Sequence, residues 1–209
     1  MKGTFFFHTE TVKGSDEVGA AIVNALIFAI TAILVIRFSR KDGAWCPPKA
    51  RYAFRFFTVQ SNVLCAVSAL CMVFFPDSGW AWTLKYIGTA AVTVTMLTVF
   101  FFLAPTMGGL KPLLQGNDFF MHLTTPLMAI VSFCIFEKRG MTFSAALLGM
   151  LPLVLYGGWY LYKILYAPAD RRWEDFYGFN RGGKWPIAFS AMVVGGFAVC
   201  MMLMGLQNL

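Results

Sequence analysis

The chain has 209 residues, 58% of them hydrophobic and only 13% charged, with a net charge of +7. A soluble domain carries roughly a quarter charged residues, whereas the apolar runs here are long enough to cross a hydrocarbon core, which excludes an ordinary water-soluble fold. The basic balance does not argue for nucleic acid as a partner, because the cations gather in the loops of a membrane protein, where insertion rules account for them.

In chain order, the N-terminus reads Met1-Lys-Gly-Thr-Phe-Phe-Phe-His8-Thr-Glu10. Its apolar stretch is too short for a signal peptide and runs into Glu10, Asp16 and Glu17, so no cleavage is expected, and His8 is assigned no role. Six apolar helices follow, over 18–36, 56–75, 86–104, 119–136, 143–162 and 186–206. The segments between them carry loop chemistry: Asp42-Gly-Ala-Trp-Cys-Pro-Pro48, Pro76-Asp-Ser-Gly79, Pro105-Thr-Met-Gly-Gly109, Lys138-Arg-Gly140 and Arg181-Gly-Gly-Lys184. The expected fold is therefore an all-α integral membrane protein, a bundle of six transmembrane helices forming one domain over 1–209, without an internal repeat.

With six spans, the termini share a side with the second and fourth loops. That side carries five cations, Lys2, Lys13, Lys85, Lys138 and Arg139, and the other side carries the remaining twelve of the 17. The positive-inside rule then puts both termini outside and the first, third and fifth loops in the cytoplasm. Four of the five cysteines, Cys65, Cys71, Cys134 and Cys200, lie in apolar runs, and Cys46 lies in a loop. No CxxC spacing occurs, so neither a disulfide framework nor a zinc site is expected. With two histidines in the chain and no carboxylate at the span centres, no metal or organic cofactor is implied.

His122 stands inside the fourth apolar run, in Asn117-Asp-Phe-Phe-Met-His-Leu-Thr-Thr-Pro126. An ionisable side chain within a membrane helix is costly and reads first as functional; the competing reading is a structural histidine bonded to a neighbouring helix. Thr58, in Arg55-Phe-Phe-Thr-Val-Gln-Ser-Asn62, opens the second run from the same side, so topology brings both residues to one depth of one leaflet. Adjacent bundle helices lie roughly 8–10 Å apart, a gap that inward-pointing Thr and His side chains can close. A threonine hydroxyl needs a base to become a nucleophile, and histidine is the usual base.

Asp118, one turn before His122, either orients the imidazole or, more simply, caps the fourth helix together with Asn117. Pro126 donates no backbone hydrogen bond and frees the His122 carbonyl, so a kink or hydrated pocket is expected there. Asn62, Ser61 and Gln60 read equally well as donors toward a developing oxyanion and as interhelical hydrogen-bonding groups. Thr125 is a further supporting candidate beside the histidine. The threonines of the third span, Thr89, Thr93, Thr95 and Thr98, are expected to bond back to their own helix. Ala145/Gly149 and Gly195/Gly196 are expected to serve close helix packing, and Tyr156, Trp159, Tyr160 and Tyr162 to form an aromatic belt or line a lipid-accessible cleft. The aromatic loop 171–180 is a candidate cover for the cytoplasmic mouth.

The segments Phe-Phe-Thr58 and Met-His122-Leu-Thr-Thr-Pro, followed by Asp-Phe-Tyr-Gly-Phe179, resemble the androgen-induced family of membrane hydrolases, and most of all its bacterial six-span members. Gly178 stands where the family pattern carries a proline, and Leu123 and Pro126 alter the histidine segment. The resemblance implies a threonine hydrolase of fatty acid esters of hydroxy fatty acids or similar lipids. Thr58 would be the nucleophile and His122 the base, in a bacterial inner membrane, with the ester arriving from the bilayer. The alternative is a non-enzymatic membrane protein that binds lipid or a small molecule, or a transporter. The position of the polar cluster near one interface, rather than at the midplane between repeated halves, argues against transport.

Overall fold

The computed structural model describes residues 14–209, so the N-terminal reading, with His8, Lys2 and Lys13, lies outside the described residues. Six helices are long and apolar enough to cross a membrane: α1 (Asp16–Phe38), α2 (Phe57–Phe74), α3 (Gly79–Thr106), α4 (Asn117–Phe136), α5 (Phe143–Tyr166) and α6 (Trp185–Asn208). The chain is thus an all-α integral membrane protein. Strand structure among the described residues is confined to a hairpin, Arg40–Lys41 with Ala44–Trp45, turned by Asp42 and Gly43 at positive φ. A two-turn helix, Pro47–Ala53, then leads into α2.

The bundle is organised around α3. Of its most apolar stretch 56% is buried, against 22% for α1 and α6, and it packs on α2, α4, α5 and α6. Small residues allow this approach. A Cβ at Gly88 would lie 2.8 Å from the Cys65 Cα, and one at Gly149 would lie 2.7 Å from the Tyr86 hydroxyl. The core at the helix crossings is aromatic, with Trp82, Tyr86, Phe133 and Tyr160 fully buried. The expectation for Gly195/Gly196 divides: Gly196 packs against Leu153 and Met150, whereas a Cβ at Gly195 would meet nothing within 4 Å. Residues on successive positions of a helix face different directions, so two adjacent glycines need not share a role.

The third helix departs most from the expected boundaries. It starts at Gly79 rather than at 86, so Lys85, read as a loop cation, sits within the helix and is completely buried. Its ammonium donates to Asn24 Oδ1 of α1 and lies 3.7 Å from the Glu137 carboxylate at the end of α4. Asn24 Nδ2 donates to Glu137 Oε1 at 2.5 Å, and Ser132 Oγ donates to Oε2 at 3.2 Å. Hydropathy reads a lysine as a boundary, because it cannot see the carboxylate that makes burial tolerable. Removing Lys85 from the loops leaves the cation bias unchanged in sign.

Candidate active site

The site forms at the end of the bundle where α2 and α4 begin. Phe56, in extended conformation, precedes the first turn of α2, which carries Thr58 on a half-buried face. His122 lies on the second turn of α4 and is 8% exposed. Thr58 Oγ1 and His122 Nε2 are 3.5 Å apart. His122 Nδ1 is 2.7 Å from the carbonyl oxygen of Leu113. A carbonyl only accepts, so the neutral ring carries its proton on Nδ1 and presents the Nε2 lone pair to Thr58. The separation is at the long limit for a hydrogen bond.

The backbone around the histidine explains its aim. The turn Phe120–Thr124 is a π-turn, in which Thr125 N–H donates to the Phe120 carbonyl five residues back. Pro126 supplies no N–H, so the Met121 carbonyl has no donor within its own helix: its four-residue partner bonds elsewhere and its five-residue partner is the proline. Asn62 Nδ2 of α2 fills the vacancy at 3.1 Å, and also donates to the Thr58 carbonyl at 2.8 Å. The expected distortion is present. Its consequence is that the carbonyl satisfied from outside belongs to Met121.

The supporting residues fall into different roles. Both amide hydrogens of Asn62 are committed to backbone carbonyls. Ser61 Oγ lies 3.1 Å from the Thr58 carbonyl and 2.8 Å from Thr95 Oγ1 of α3, and Gln60 Nε2 donates to the Phe54 carbonyl at 2.8 Å. These contacts match the interhelical and turn-stabilising reading of the cluster rather than an oxyanion site. Asp118 is exposed, and neither it nor Asn117 caps α4, whose N-cap is Gly116. The imidazole is oriented instead by the Leu113 carbonyl. Thr125, three residues after the histidine, is buried, and its hydroxyl has no hydrogen-bond partner among the described residues. In the third span Thr93 and Thr95 bond back to their own helix as expected, at 2.7 and 3.2 Å, whereas the buried Thr89 hydroxyl departs from that expectation and has no hydrogen-bond partner among the described residues.

The loop before α6 completes the site. Asp175 accepts hydrogen bonds from the Tyr160 hydroxyl and from Phe179 and Asn180 N–H, at 2.7–2.9 Å. This turn needs Gly178 at φ +68°, a value closed to proline. It projects Phe176 against Phe56, with ring centroids 4.6 Å apart, and brings the Tyr177 hydroxyl to the start of α2, where it accepts from Phe57 N–H at 3.0 Å. Burial raises the Tyr177 phenol above its ordinary value, so it is a neutral donor. Beside it, the Tyr156 hydroxyl donates to the Arg55 carbonyl at 2.7 Å.

Thr58, Tyr156 and Tyr177 line one cavity of about 60 Å³, together with Thr95, Thr98 and apolar side chains such as Phe57, Val99 and Leu153. Sequence reading missed both Leu113, whose contribution is a backbone carbonyl, and Tyr177, for which the signals were the aromatic character of loop 171–180 and a place in the Asp-Phe-Tyr-Gly-Phe179 segment. The chain matches no family model, no curated protein and no solved structure.

Proposed function

We propose that this protein is an intramembrane hydrolase of lipophilic esters, with Thr58 as nucleophile and His122 as general base. The observation that carries the reading is the Leu113 carbonyl–His122–Thr58 relay, in which the accepting nitrogen faces a hydroxyl 3.5 Å away. In the forward step His122 Nε2 takes the Thr58 proton as Oγ1 attacks the acyl carbon. The same proton then passes to the departing alcohol, leaving an acyl-threonine. Water attacks that ester with His122 again as base, which releases the carboxylic acid and restores the hydroxyl. Charge developing on the carbonyl oxygen meets the hydroxyl of Tyr177 and the positive end of the α2 dipole.

The resemblance to the androgen-induced family supports an ester of a fatty acid with a hydroxy fatty acid or a similar lipid as substrate. The cation count supports a site in the cytoplasmic leaflet with the termini outside, and the resemblance to bacterial six-span members supports a bacterial inner membrane. A cleft lined by Arg51, Arg55, Lys163 and Arg171 near the start of α2 supports that orientation. The test is covalent and kinetic. Wild type should react with a fluorophosphonate and turn over a long-chain ester, while Thr58→Ala and His122→Ala lose about 10³-fold or more. Equal labelling and turnover in all three proteins defeats the hydrolase reading. Lipid binding without turnover in any of them favours the non-enzymatic alternative.

A further inference from the structure

A second cavity, of about 590 Å³, runs between α3 and α6, a volume in the range of ligand pockets. It adjoins the small cavity at Thr58: Val94, Thr98, Phe102, Phe179 and Met192 line both. None of its lining residues is ionisable, and Thr98 carries the one polar side chain among them. On α6 the wall extends from Ala188 to Met202, about 21 Å at the helical rise, against a hydrocarbon thickness of about 30 Å. Phe101, on the α3 wall, is 78% exposed, so the groove opens sideways toward lipid.

We infer that this α3–α6 groove is the acyl-chain subsite of the hydrolase, holding the fatty acyl tail of the ester while its carbonyl reaches Thr58 through the neck at Phe102, Phe179 and Met192. This assignment rests on the reading of Thr58 and His122 given above. Three observations select a hydrocarbon tail as occupant: the groove shares a wall with the nucleophile's cavity, it offers no charge to a polar group, and it runs lengthwise through most of the apolar layer. A short acyl chain would fill only the neck, so the groove sets a preference for long chains.

Gly195 is the position from which to test this. It lines the groove and a Cβ there meets nothing, whereas the neighbouring Gly196 is packed against Leu153 and Met150. A larger side chain at 195 fills the groove without displacing a helix, and replaces a weak helix former. Excluding even two methylenes from apolar contact lowers affinity about tenfold. In lipid nanodiscs, Gly195→Phe should lower the palmitate-to-butyrate ratio of kcat/KM for p-nitrophenyl esters at least about tenfold relative to wild type. An unchanged ratio in an active protein overturns the assignment.

A second arm does not depend on turnover. Thr58→Ala protein is photolabelled with a palmitoyl ester carrying a diazirine at the end of the chain, and the adducts are mapped by mass spectrometry. Adducts on residues 188–202 that disappear in the Gly195→Phe background support the subsite. Adducts elsewhere, or equal labelling by a diazirine phosphatidylcholine, show an ordinary lipid-facing surface and overturn it. If wild type hydrolyses neither ester, the hydrolase reading fails, and this arm still decides whether the groove takes an acyl chain.

Discussion

Replacing Glu137 by Gln removes one charge from the bundle without changing its shape. The amide can still pair with Asn24 and Ser132, whose donors lie 2.5 and 3.2 Å from the carboxylate oxygens. What is lost is the counter-charge 3.7 Å from Lys85, a side chain with no solvent exposure. Stranding one member of a buried pair destabilises by about 3–5 kcal/mol, because the remaining charge keeps its desolvation penalty without its partner. For a chain of this size each kcal/mol shifts the melting temperature by about 2–4 °C, so Glu137→Gln should melt about 6–20 °C below wild type.

The companion variant decides the cause. Lys85→Met combined with Glu137→Gln removes both charges and keeps the lysine's stem volume, and should recover most of the loss. Thermal unfolding in one detergent, followed by intrinsic Trp fluorescence, reads all three proteins. If Glu137→Gln melts with wild type, or if the double variant melts no higher than the single one, then charge compensation is not what holds α1, α3 and α4 together at this end.

Three further outcomes are expected. Tyr177→Phe removes the hydroxyl that lines the Thr58 cavity and should reduce ester turnover about 10²-fold, with a stability change of only about 1 kcal/mol; equal turnover removes Tyr177 from the mechanism. Because burial raises the Tyr177 phenol, the folded state keeps a proton that the unfolded chain gives up. Its stabilising contribution is therefore complete below about pH 10 and declines as pH rises beyond that value, so Tyr177→Phe should flatten the alkaline limb of the stability profile. Gly149→Val forces a branched side chain against the Tyr86 hydroxyl and Cys200, and should destabilise by about 1–3 kcal/mol, with a lowered melting temperature as the readout.

The six spans were legible because each is a long apolar run, and a bilayer imposes its thickness on the sequence. The matching depth of Thr58 and His122 was legible too, since it follows from counting spans. What stayed open or failed were inferences that depend on helix rotation and on partners in other helices. Asn62, Ser61 and Gln60 look alike in sequence, yet the turn of α2 sends them to α4, α3 and the preceding loop, respectively. Asp118 stands one turn from His122, but α4 directs it outward and the Leu113 backbone takes the orienting role. A backbone carbonyl carries no residue signature, so no reading of side-chain types could have found it. Gly195 and Gly196 both line the groove, yet the same rotation leaves open space at Gly195 and sets Gly196 against Leu153 and Met150.

The link between Pro126 and Asn62 can be measured as a coupling energy. Pro126 and the π-turn before it leave the Met121 carbonyl without a donor in α4, and Asn62 supplies one from α2. Asn62→Ala alone should therefore destabilise by about 1–3 kcal/mol, the usual penalty for an unpaired buried carbonyl. In Pro126→Ala the chain regains the N–H at 126, and α4 can return to four-residue bonding, with Thr125 N–H donating to Met121. The carbonyl then no longer needs Asn62, so the same Asn62→Ala change should cost distinctly less in that background. A double-mutant cycle by thermal unfolding should give an interaction of at least about 0.5 kcal/mol, and additive effects refute the link. The same relaxation turns His122 away from Thr58, so Pro126→Ala should lose ester turnover while keeping its fold. A proline that distorts one helix and an asparagine that repairs the distortion from another together hold the imidazole on the threonine.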